Sequence, residues 1–128
     1  MNAVVDTSVL IDFLRGHREA QLLLERERST APLHACEITR LEVLAGMRES
    51  EEEPTRAMLS TLLWHPVDEA VAEEAGALGR RWLSSHHTMD GADLAIAATA
   101  IVNQARLLTL NVRHFPMFAG LEPPYVRG

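Results

Sequence analysis

Three carboxylates and one amide, Asp6, Glu42, Asp93 and Asn111, have the types and settings to do chemistry together although they lie far apart along the chain. Asp6 ends the apolar run Ala3-Val4-Val5, and Asn111 follows Leu107-Leu108-Thr109-Leu110. Sites in open parallel sheets form beyond the carboxyl ends of the strands, so these two residues can share one edge. Asp93 stands at the start of an alanine-rich helical segment. Glu42 sits among Leu41, Val43, Leu44 and Ala45, where a carboxylate is costly unless a cation or a hydrogen-bond donor compensates it. Four hard oxygen donors suit Mg²⁺, or Mn²⁺, and not a structural zinc centre.

Each of these residues has an ordinary structural role open to it as well. Asp6 can cap the helix that follows, Asp93 can favour a helix dipole, Glu42 can pair with Arg40 or another arginine, and Asn111 can make a turn. Four such coincidences are less expected than one shared cause. Asp90 lies three residues before Asp93 and can share its helix face, with capping as its first reading. The hydroxyls of Thr7 and Ser8 can orient carboxylates or waters, and can equally cap.

Composition closes several alternatives. All 12 basic side chains are arginine, which removes a phosphate-loop lysine, Schiff-base chemistry and a lysine-bound pyridoxal cofactor. The single cysteine, Cys36, can form neither an internal disulfide nor a thiolate cage and reads as a buried structural thiol. The six histidines show no paired-ligand spacing, and no G-x-S-x-G elbow occurs. A net charge of −6 does not favour nucleic acid by itself, but divalent cations can bridge carboxylates to phosphate.

The elements that must position these groups follow from apolar spacing. A strand at 3–5 ends at Asp6, and Thr7-Ser8 read as the cap of a helix through Leu14, with Gly16 as its stop. A second helix is expected from Glu19 to about Arg28, and a short strand from Leu33 to Cys36. Ile38, Leu41, Ala45 and Met47 mark a helix holding Glu42, and further helices are expected over 54–63 and along Val71, Ala75, Leu78 and Trp82, with Trp82 a core or interface anchor. The segment 90–105 reads as helix and 107–110 as strand. Alternating short strands and helices, with no repeat or linker, indicate a single α/β domain over 1–128: a short parallel central sheet sandwiched by helices. Neither a leader peptide nor a membrane span is expected, and a reducing cytoplasm fits best.

Val4-Val5-Asp6-Thr7-Ser8, Thr39 to Gly46, Asp93 to Ala100 and Leu108 to Phe115, in this order and separation, resemble the PIN-domain ribonucleases and more closely the VapC-type toxins of toxin-antitoxin pairs. The resemblance covers nearly the whole chain. It implies that Asp6, Glu42 and Asp93 are acidic metal ligands and that Asn111 occupies a fourth position where many relatives carry Asp. It further implies Mg²⁺-dependent hydrolysis of RNA, a homodimer and a cognate antitoxin. Arg113 is a candidate phosphate contact. Two other readings remain: a receiver-like phosphoacceptor domain, disfavoured by the missing lysine, and a catalytically degenerate PIN-like module that only binds RNA or protein.

Overall fold

The computed structural model describes residues 1–127. Four strands, β1 (Ala3–Val5), β2 (His34–Cys36), β3 (Leu63–His65) and β4 (Arg106–Leu108), form one sheet in the order β3-β2-β1-β4, with every neighbouring pair parallel. Parallel neighbours need crossovers, which six helices supply: α1 (Thr7–Leu14), α2 (Arg18–Arg28), α3 (Glu37–Ala45), α4 (Glu52–Leu59), α5 (Glu69–Trp82) and α6 (Gly91–Val102). Short 3₁₀ turns occupy Glu49–Glu51 and Val112–His114.

Because strand side chains alternate between faces, β1, β2 and β4 each feed two cores, while edge strand β3 adds only Trp64 to one of them. Val4, Cys36 and Leu107 point into a cluster with α5 and α6 residues such as Val71, Leu78 and Ile96. Ala3, Val5, Ala35 and Leu108 point into a second cluster with Val9 and Leu10 of α1, Leu23 and Leu24 of α2, Val43 of α3 and Met58 and Leu59 of α4. Helices therefore cover both faces, as the sequence predicts, and Cys36 is fully buried. Among the described residues no helix is long and apolar enough to cross a membrane.

The differences from expectation lie at element ends. The helix expected over 54–63 begins earlier, at Glu52, and stops at Leu59, while Leu63–His65 is the edge strand β3. Pro54 is tolerated because the first helical turn has amide hydrogens without intrahelical partners. Strand β4 ends at Leu108, and 109–110 leave the ladder to bond elsewhere. Trp82 is only half-buried: it packs at the edge of the first core, with the Arg81 guanidinium 5.0 Å from its ring centre.

Helix α6 is positioned by close approach to α5. An added side-chain carbon at Gly79 would come within 3.2 Å of a Leu94 methyl, and the small residues Ala95, Ala97, Ala98 and Ala100 are buried on α6. This packing sets the N-terminus of α6, and with it Asp93, at the carboxyl edge of the sheet.

Candidate active site

Asp6, Thr7, Ser8, Glu42, Asp90, Asp93 and Asn111 line one cleft of about 320 Å³, together with Ile11, His114 and Arg127. The four elements responsible are the β1–α1 junction, the middle of α3, the N-terminus of α6 and the loop after β4. The cleft thus gathers every site residue expected from sequence except Arg113.

Asp6 is almost completely buried and caps α1, as one structural reading had it, but its side chain does more than cap. Its Oδ2 accepts hydrogen bonds from Ser8 Oγ at 2.7 Å and Thr109 Oγ1 at 2.7 Å, and a long one from the Ser8 amide at 3.4 Å. Those hydroxyls in turn accept the amides of Leu110 and Asn111, at 3.1 and 3.0 Å. The residues leaving β4 are thereby tied to Asp6, which explains why the strand ends early and how Asn111 reaches the cleft.

Glu42 does not pair with Arg40, whose guanidinium binds Glu37 instead. Its Oε1 accepts the Thr7 hydroxyl at 2.6 Å. A hydroxyl has one proton to give, so Thr7 donates to Glu42 and accepts from the buried Thr39, 3.1 Å away. Asp90 and Asp93 form a reciprocal cap: Asp90 Oδ1 accepts the Asp93 amide at 3.0 Å, and Asp93 Oδ2 accepts the Asp90 amide at 3.2 Å. His114 Nδ1 lies 3.1 Å from the same Asp93 Oδ2.

Each of the three carboxylates is therefore anchored through one oxygen. Asp6 Oδ1, Glu42 Oε2 and Asp93 Oδ1 have no hydrogen-bond partner among the described residues. Burial strongly disfavours charge on Asp93, and the negative charges of Asp90 and Asp6 add to this. Against the opposing pull of the Asp90 amide and of His114, its carboxyl is pushed up to about 6. His114 offsets this only in part.

The donor set fits Mg²⁺ or Mn²⁺ in kind, being oxygen throughout and fixed in orientation by hydroxyls and amides. As arranged, no group of three or more His, Cys, Asp or Glu among the described residues is drawn tightly enough to close a coordination sphere. Mg²⁺ keeps several waters and binds through one or two carboxylates, so a spread ring of this type agrees with its habits.

Sequence reasoning missed Thr39, Thr109, His114 and Arg127. The threonines stand in the quoted motif stretches, but nothing in their spacing shows that Thr39 meets the Thr7 hydroxyl 32 positions away or that Thr109 meets the Asp6 carboxylate 103 positions away. Arg113 lines a neighbouring groove with 85–88, Val112 and Pro116, outside the carboxylate cleft.

The PIN domain family profile matches residues 3–120. The chain is 48% identical to "Ribonuclease VapC19" of Mycobacterium tuberculosis over 123 residues, 95% of this chain and 98% of that protein. It is 39% identical to "Ribonuclease VapC10" of the same species, over 95% of this chain and 92% of the relative. Among solved structures, a toxin-antitoxin complex from Klebsiella pneumoniae superposes with a TM-score of 0.82 at 31% identity, covering 97% of this chain and 98% of the other.

Proposed function

The chain belongs to the PIN-domain family, and from that premise we propose that it is a divalent-metal-dependent endoribonuclease, the toxin of a toxin-antitoxin pair, acting in the cytoplasm. One observation carries this reading beyond family membership. Three carboxylates from separate elements converge on one cleft, each clamped through one oxygen with the other left free. Structural capping alone has no need of three such half-satisfied groups.

Asp6, Glu42 and Asp93 would hold the ion, Mg²⁺ or Mn²⁺, and Asn111 would place one of its waters. When bound, the ion supplies charge neutralisation at the scissile phosphate and acidifies a water. Ser8 and Thr109 hold the Asp6 carboxylate in one orientation, so that its free Oδ1 needs no reorganisation when phosphate arrives. Thr7 does the same for Glu42, whose free Oε2 would reach the ion through a water and accept a proton from that water. Water oxygen bonds to phosphorus, the bond to the leaving ribose oxygen breaks, and that oxygen takes a proton from solvent. Asp90 keeps Asp93 in place through the cap, and Arg113 in the adjoining groove contacts backbone phosphate.

RNA is the substrate, a cognate antitoxin covers the cleft until it is removed, and the active form is a homodimer. The decisive experiment incubates the purified protein with total RNA, with and without Mg²⁺. Cleavage is expected only with the ion, and Asp6→Asn should reduce it at least about 100-fold, the loss typical of removing one electrostatic stabiliser. Cleavage that persists in EDTA, or that survives in Asp6→Asn, overturns the assignment.

A further inference from the structure

Asp12 is a buried carboxylate outside the cleft that the proposed chemistry does not use, and it has an elaborate partnership. Only 3% exposed on α1, it accepts Arg127 Nε at 2.8 Å and Arg127 Nη2 at 2.7 Å as a two-pronged pair, and the Tyr125 hydroxyl at 2.8 Å. His17 Nε2 stands 3.9 Å away. Tyr125 and Arg127 come from 113 and 115 positions along the chain and lay the segment 123–127 across α1.

Only half of the Arg127 fork is consumed. Nη1 has no hydrogen-bond partner among the described residues, and the side chain remains 58% exposed. Arg127 lines the carboxylate cleft, and among the described residues lining that cleft it is the single arginine. It also lines a second groove of about 340 Å³ formed by Leu110, Asn111, Pro123, Tyr125 and Val126. Asn111 and Arg127 are common to both cavities, so a polyanionic strand leaving the cleft into that groove passes over them.

Charge makes the position significant. The protein is acidic at −6 and the cleft collects four carboxylates, a setting that repels phosphate wherever a bridging ion is out of reach. A guanidinium fixed by a buried carboxylate offers planar donors at low ordering cost, because the side chain is already held. A free surface arginine would lose that advantage.

We propose that Arg127 binds a backbone phosphate of the RNA next to the scissile bond, and that Asp12 is its positioning residue. This rests on the ribonuclease reading for the identity of the strand. The contact is electrostatic and independent of base identity, so it contributes affinity and register, not sequence choice.

The test measures binding of a single-stranded RNA oligonucleotide to the Asp6→Asn protein across a salt series, with and without Arg127→Gln, alongside KM and kcat for cleavage in the Asp6 protein. Glutamine keeps a hydrogen bond to Asp12 while removing the charge. Arg127→Gln is expected to weaken binding about tenfold, to flatten the slope of log Kd against log salt by about 0.7, as for one phosphate contact on a single strand, and to raise KM more than it lowers kcat. Asp12→Asn, which keeps the shape but frees the arginine, should weaken binding in the same sense by a smaller factor. An unchanged salt slope in Arg127→Gln, or Asp12→Asn that melts earlier yet binds RNA as before, overturns the inference and leaves a strap that only fastens the chain end. If the Asp6 protein cleaves nothing while Arg127→Gln still loses a phosphate contact, the ribonuclease reading falls and the phosphate site stands. If cleavage is normal and binding is indifferent to Arg127, the inference alone falls.

Discussion

Two carboxylates, Asp12 on α1 and Asp93 on α6, are both shielded from solvent and are treated in opposite ways. Desolvation works against the charge of each. At Asp12 it is outweighed by the hydrogen bonds of Arg127 and Tyr125 and by the Arg127 charge, so the carboxyl titrates below its ordinary value. At Asp93 desolvation wins, reinforced by Asp90 and Asp6, and the carboxyl rises to about 6. One region is an ion pair completed by a two-pronged guanidinium, and in the other His114 offsets the burial and the neighbouring carboxylates only in part. Asp12 is the more deeply buried of the two, yet it is Asp93 whose charge is disfavoured; what distinguishes a structural acid from a functional one is how fully the protein itself compensates the charge.

That contrast can be broken most sharply at the strap. Asp12→Ala should destabilise the fold by about 2 to 3 kcal/mol, the range for hydrogen bonds to a charged group, and not by the larger cost of a stranded buried charge, since Arg127 can turn to water. Urea unfolding checks this, and a change within about 0.5 kcal/mol would mean that the pair is only ornamental. The wild-type pair should also show the pH signature of a depressed carboxylate. Its stabilisation is full above the unfolded value near 3.8 and is lost as pH falls through the lower folded value.

The cleft should respond in the opposite direction. Asp93 titrates higher folded than unfolded, so its penalty is present above about pH 6 and lifts as the pH falls from 6 towards 4. In EDTA at pH 7.5, Asp93→Asn is therefore expected to be more stable than the parent by about 1 to 3 kcal/mol, the gap closing near pH 4. Added Mg²⁺ should raise the melting temperature of the parent more than that of the variant. Equal ion responses, or a variant less stable than the parent at pH 7.5, would remove Asp93 from the metal site.

The smallest effect belongs to His114, whose positive form opposes the rise at Asp93. Replacing His114 by Ala should move the Asp93 titration upward by less than about one pH unit, read from its carboxyl carbon shift, with little change in stability. A downward movement would show that the histidine acts on Asp93 in some other way.

Much of this arrangement is legible in the amino-acid sequence. Glu42 stood out because a charge inside an apolar helical stretch needs a compensating partner, and Asp6 because it ends an apolar strand at the edge where sites form. Edge strand β3 was not legible: three residues, Leu63–His65, are too few to show alternation, and the preceding helix has a compatible apolar pattern. Asp12 was overlooked for a related reason. In sequence it is an ordinary polar residue on an amphipathic helix, and only the return of 123–127 across α1 gives it a cation.

The sequence by itself determined the alternation of strands and helices, the two buried faces of the sheet and the identity of the acidic residues, because periodicity and residue chemistry are local properties. Tertiary structure alone decided which oxygen of each carboxylate is clamped, which is left free, and which arginine stands beside them. Those outcomes depend on hydroxyls and guanidinium groups delivered from distant segments, and at hydrogen-bond range a shift of one ångström separates a satisfied acid from one that still requires an ion.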